Sequence, residues 1–165
     1  MSRPNHAAKV DAIAAWLLPA LVVLLTAAVF LPALHNGFVN WDDEDNYLRN
    51  LNFRGLGWTQ LRWMFTTFQG SLYRPLTWVT LGLDYLLWQM NPFGYHLTSL
   101  LLHVLNSLLF YFLAGRLFRL AVRNPDPSSG FASRIAAGFA ALFFAVHPLR
   151  VEPVAWISAR NDLVC

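Results

Sequence analysis

The stretch AIAAWLLPALVVLLTAAVFLPAL, residues 12–34, carries no charged side chain. A helix of that length spans roughly 30 Å of hydrocarbon. Pro19 and Pro32 are tolerated in such a helix. The apolar core of a secretory signal runs about 7–15 residues, shorter than this stretch, and no small-x-small cleavage pattern follows. The stretch therefore reads as an uncleaved membrane helix, preceded by a polar tail at 1–11 with Arg3 and Lys9.

The rest of the chain agrees. Its 165 residues are 56% hydrophobic and only 13% charged, against about 25% charged in a soluble domain. Seven Trp and thirteen Phe suit lipid–water boundaries. The net charge of +3 comes almost wholly from arginine, without a basic run or face, so nucleic acid is not an expected partner. One cysteine, Cys165, permits neither an internal disulfide nor a zinc site. The sequence shows no internal repeat.

Residues 95–117 form the second predicted span, and residues 131–147 a minimal third. His96, Ser99, His103 and Asn106 fall on one face of the second span, and polar groups in a membrane helix face the bundle interior. Between the first two spans lies a loop, 35–94, that holds five of the seven Trp. TQLRWMFTTF (59–68) and PLTWVTLGLDYLLWQM (75–90) read as interfacial helices within it. Thr77, Thr80 and Asp84 share one stripe of the latter, and Asn91-Pro92 ends it. The expected architecture is an all-α membrane protein of about three transmembrane helices plus juxtamembrane helices. Positive charge concentrates in 1–11 and in the 118–130 loop with its flanks. This places the N-terminus in the cytoplasm, and the 35–94 loop and the 148–165 segment outside.

The outer loop contains FVNWDDEDNYLRN, Phe38–Asn50, with Asp42, Asp43, Glu44 and Asp45 in a row. Three functions suit such a run. It is a solvated loop, a divalent-cation site built on Asp42 and Asp43, or an active site whose carboxylate serves as a general base. The run lacks the spacing of an EF-hand loop.

FVNWDDEDNYLRN is followed by YRPLTWVTLGLDYLLWQMNPFGYHLTSLLLHVLNSLLF and then by HPLRVEPVAWISARNDLV. In this order the three segments resemble the polytopic glycosyltransferases of the GT-C architecture. Within that group the match is to the protein O-mannosyltransferase-like branch with tetratricopeptide repeats, the TMTC-type proteins and their bacterial relatives. The resemblance covers about residues 20–165. It implies an integral membrane protein of the bacterial inner membrane or endoplasmic reticulum. It also implies a polyprenyl-phosphate sugar donor, an acceptor hydroxyl on a protein, lipid or glycan at the outer face, and inverting single displacement. Under it Asp42 and Asp43 match the catalytic acids, with Asp42 as base. Arg74 and Arg150 match donor-phosphate clamps, and His147 and Glu152 line the same cavity. Arg160 and Asp162 match a recurring segment with a structural part. The family has roughly ten spans and a repeat domain, and this chain ends inside the pattern SARNDLVC. The expectation is an N-terminal piece of such an enzyme. The rival reading is a non-catalytic membrane scaffold or truncated remnant of the family.

Overall fold

The computed structural model describes residues 6–69, 71–122 and 129–164. The readings made on residues 1–5, on 123–128 of the 118–130 loop and on Cys165 lie outside the described residues. The chain is an all-α membrane protein. Its helices are α1 (His6–Phe30), α2 (Trp58–Thr66), α3 (Pro75–Trp88), α4 (Pro92–Ala121), α5 (Ser129–Ala145), α6 (Val151–Ala155) and α7 (Asn161–Val164). Short 3-10 turns cover Leu31–His35, Pro148–Arg150 and Ile157–Arg160, and a π turn covers Glu44–Leu48. Among the described residues, β pairing is limited to an isolated bridge between Gln69 and Leu72.

Two stretches, Ala12–His35 and Pro92–Ala121, are long and apolar enough to cross a membrane. Ser129–Ala145 reaches that length only together with Pro148–Ala155, across a bend. The bend falls at His147-Pro148, where the proline ring lacks an N–H to continue the ladder. α4 begins at Pro92, three residues before the expected start. A proline in the first turn forfeits no hydrogen bond, so Asn91-Pro92 opens this helix as well as closing the previous segment.

The chain divides into two compact units, Met1–Val29 with His103–Pro148, and Phe30–Leu102 with Leu149–Cys165. In the first unit, Val22, Tyr111, Ala114, Ala137 and Ala141 form the buried core. A Cβ added at Gly115 would lie 3.5 Å from Ala137 Cβ, the close approach that small residues permit between membrane helices. Hydroxyls in this unit donate back to their own helix. Thr26 bonds the Val22 carbonyl at 2.6 Å, and Ser107 bonds the His103 carbonyl at 2.8 Å. His103 Nε2 lies 2.9 Å from the Ala145 carbonyl, on the last turn of α5, where helix carbonyls lack intrahelical partners. Large apolar side chains such as Trp16, Leu24 and Phe139 stay exposed. That surface suits lipid rather than water.

In the second unit the core is aromatic. Tyr47, Phe53, Met64, Trp78, Leu81, Tyr95 and Ile157 are fully buried together. Trp78 packs edge-on against Trp63 and Tyr47, with ring centroids 5.0 and 6.1 Å away. α3 reaches this core through Gly82, where an added Cβ would sit 2.8 Å from both the Gly55 carbonyl and Met64 Cε. The backbone oxygen cannot yield as a side-chain end can. Gly82→Ala is therefore expected to destabilise the protein by about 1–3 kcal/mol, read as a lower thermal midpoint of the detergent-solubilised protein. An unchanged midpoint would show that α3 can shift away.

Candidate functional site

The acidic run is divided by its own backbone. Trp41 N bonds the Val39 carbonyl at 2.8 Å, and Glu44 N bonds the Trp41 carbonyl at 3.2 Å. The tight turn sends adjacent carboxylates in opposite directions. Asp43 is fully buried, and its Oδ2 accepts from Val39 N at 2.9 Å. Its Oδ1 accepts from Ser158 Oγ at 2.6 Å, from 115 residues further along the chain. Asp42 is exposed and makes no hydrogen bond or ion pair among the described residues. Glu44 and Asp45 both face Arg49, at 2.6 and 3.1 Å. That cluster is open to solvent and adds little stability. Of the four acids, only Asp42 offers a carboxylate with no bond to a neighbour.

The turn is held from behind. Ser158 Oγ also accepts from Asn46 Nδ2 at 3.4 Å, and Asn46 Oδ1 accepts from Gln69 Nε2 at 3.0 Å. Tyr47 donates its hydroxyl to the Ile157 carbonyl at 3.3 Å. Burial pushes the Tyr47 phenol above its ordinary value, against the opposing pull of Ser158, Arg74 and Arg160. Arg54 caps the π turn by donating to the Leu48 carbonyl at 2.8 Å. A cleft of about 260 Å³ opens on this turn, lined by Phe38, Val39, Asn40, Glu44 and Leu48.

Arg74 stands at the N-terminus of α3 and is only 9% exposed. Its guanidinium lies over the Trp78 ring, 5.2 Å from the centroid. Nε has no hydrogen-bond partner, and no carboxylate pairs with the group among the described residues. Nearby on α3, Thr77 Oγ1 and Trp78 Nε1 are likewise buried donors without acceptors. A buried cation and two buried donors left unmatched carry a desolvation penalty that an anion would offset.

The other buried arginine is fully matched. Arg160 donates from Nη1 to Asp84 Oδ2 at 2.5 Å, from Nη2 to the Tyr95 carbonyl at 2.6 Å and from Nε to Ser99 Oγ at 3.1 Å. Thr98 holds the second Asp84 oxygen at 2.5 Å. Burial pushes the Asp84 carboxyl up, and the Arg160 charge pulls it back. Asp84 of the α3 stripe and Ser99 of the α4 stripe thus meet one guanidinium. His96 is also fully buried, set against the backbone of Gly37 and Val154.

Two more sequence candidates stand at the start of α6. Arg150 precedes α6, and Glu152 is exposed in its first turn. His147 belongs to the other unit, where its ring meets Phe143 edge-on. Asp162 is exposed and accepts from Asn161 at 2.6 Å. Among the described residues, no three His, Cys, Asp or Glu side chains come together as a metal site. Within the acidic run, both Asp43 oxygens are taken by Val39 N–H and the Ser158 hydroxyl. Ser158, Asn46 and Gln69 escaped the sequence reading. Their partners are remote in the chain, so no local spacing signals them.

Comparison with known proteins places this arrangement in a family. The chain is 32% identical over 154 residues to the protein O-mannosyl-transferase TMTC3 of Mus musculus, covering 87% of this chain and 15% of that protein. It is 32% identical over 155 residues to the protein O-mannosyl-transferase TMTC4 of Homo sapiens, covering 88% of this chain and 21% of the relative. Identity reaches 39% over 99 residues with the protein O-mannosyl-transferase Tmtc3 of Drosophila melanogaster, covering 56% of this chain and 11% of that protein. The chain therefore spans about a fifth or less of the length of these relatives. No family model matches the chain, and no solved structure matches it significantly. By its sequence the chain belongs to the TMTC-type, protein O-mannosyl-transferase-like family.

Proposed function

We propose that this chain is the N-terminal part of a membrane glycosyltransferase that moves a sugar from a polyprenyl-phosphate donor to an acceptor hydroxyl at the outer face. The relatives' name makes mannose the sugar and a protein hydroxyl the acceptor to try first. In this reading Asp42 takes the proton from the hydroxyl. The freed oxygen attacks the anomeric carbon from the side opposite the phosphate. The carbon–oxygen bond to the polyprenyl phosphate breaks, and the phosphate leaves with the electron pair. One displacement inverts the anomeric centre. Arg74 stabilises the charge developing on the leaving phosphate, with Arg150 as a second donor. Glu152 lines the donor site. The N-terminus lies in the cytoplasm, in the bacterial inner membrane or endoplasmic reticulum.

The observation that carries this reading is Arg74, a buried guanidinium with an aromatic floor and no anion of its own. A lipid phosphate supplies the missing charge. The test uses the native membrane protein with labelled polyprenyl-phosphate mannose and a serine/threonine-containing peptide. Arg74→Ala is expected to raise the KM for the donor about tenfold or more, in line with loss of a charged hydrogen-bonding group worth about 1.5–3 kcal/mol, and to leave the peptide KM unchanged. An unaltered dependence on donor would refute the clamp.

A further inference from the structure

We infer that Ser158 is a positioning residue for Asp42, a role that rests on the transfer reaction proposed above. Asp42 reaches the surface because its neighbour Asp43 turns inward, and Asp43 has two anchors. One is local, the Val39 N–H at 2.9 Å. The other is the Ser158 hydroxyl at 2.6 Å. A serine has one O–H to donate, and here it goes to Asp43, while the same oxygen accepts from Asn46 at 3.4 Å. One buried hydroxyl thus ties the acidic turn, the π turn and the Ile157–Arg160 turn together.

Ser158 is a fixed post rather than a follower. Two residues on, Arg160 is locked by Asp84, Ser99 and the Tyr95 carbonyl. One residue back, the Ile157 carbonyl takes the Tyr47 hydroxyl at 3.3 Å. The 157–160 segment is therefore tied to α3 and α4 through Arg160 as well as to the loop through Tyr47. Placement established in the core is passed through Ser158 and Asp43 to the residue that faces the acceptor. Ser158 is buried beneath the turn, so its loss acts on how often Asp42 is aligned, not on substrate affinity. Misplacement by about 1 Å costs on the order of 10²-fold in rate.

The experiment compares Ser158→Ala, Ser158→Thr, Ser158→Cys and Asp42→Asn in the native membrane protein, using the mannose transfer assay. Ser158→Ala is expected to lower kcat about ten- to a hundredfold, with both KM values within about twofold. Ser158→Thr, which keeps the hydroxyl, is expected to regain most of that loss. Ser158→Cys keeps the volume but donates weakly, and is expected to fall between. If Ser158→Ala does not insert, the cysteine variant gives the reading, and a wild-type kcat there overturns the inference. Equal losses in the alanine and threonine variants would assign the effect to shape and overturn the hydroxyl's role. Wild-type kcat in Ser158→Ala with an inactive Asp42→Asn removes the positioning role and leaves the base in place. An active Asp42→Asn removes the base itself.

Discussion

Replacing Arg160 with leucine is expected to lower stability by about 3–5 kcal/mol, the usual result of stripping one partner from a buried ion pair. Asp84 would be left 1% exposed with its counter-ion gone, and the Tyr95 carbonyl and Ser99 would lose their donor. Thermal unfolding in detergent checks this. The double variant Asp84→Leu with Arg160→Leu removes both charges, and is expected to be more stable than either single variant. An apolar pair of similar volume is often neutral where a lone buried charge is not. An Arg160→Leu protein with an unshifted midpoint would mean that the pair does not hold α3, α4 and the 157–160 turn together. Because this turn carries Ser158, the same variant is also expected to lose transfer activity.

The second large effect separates two adjacent acids. Asp42→Asn keeps shape but cannot take a proton, and a positioned general base contributes typically 10²–10⁴-fold to rate. Transfer is expected to fall by that order, while thermal stability stays unchanged, because Asp42 is exposed and bonds to nothing among the described residues. Asp43→Asn is expected to show the reverse emphasis. Its new amide N–H₂ would face either the Val39 N–H, donor against donor, or the Ser158 oxygen, whose own O–H would then lose its acceptor. A buried group left unsatisfied costs about 1–3 kcal/mol. Thermal midpoints and transfer rates measured on both variants decide between a division of labour and two interchangeable acids. Full activity in Asp42→Asn would move the base elsewhere.

These contrasts show where sequence reading reached and where it stopped. Apolar length is a one-dimensional property, so the spans at 12–34 and 95–117 were legible directly. Helical period is nearly so. The stripe His96, Ser99, His103, Asn106 reads as an inward face and Thr77, Thr80, Asp84 as one stripe of α3; the structure buries His96, Ser99, His103, Thr77 and Asp84 and leaves Thr80 and Asn106 half-buried. What those faces meet was not readable. Arg160 comes 76 residues after Asp84, and its packing depends on how the last segment returns to the 35–94 loop. The same holds for the acidic run. Its four acids look alike in sequence, and only the turn at Val39–Glu44 makes one a buried anchor, one an open carboxylate and two a surface cluster around Arg49. The resemblance gives Arg74 as a phosphate clamp, and its surroundings are not readable from the sequence. The structure lays it over Trp78 with Nε buried and without a hydrogen-bond partner. The family resemblance named the acids and arginines as a set. The structure gives each a different side-chain environment.

In the proposed function the open carboxylate of Asp42 serves sugar transfer from a lipid phosphate. The most direct test is a time course of label moving from polyprenyl-phosphate mannose to a peptide hydroxyl, with wild-type and Asp42→Asn proteins inserted to equal amounts in the same membranes. The account predicts transfer with inverted anomeric configuration by the wild type and a loss of about 10²-fold or more in the variant. Equal transfer by the two proteins, or retention of configuration, would contradict it.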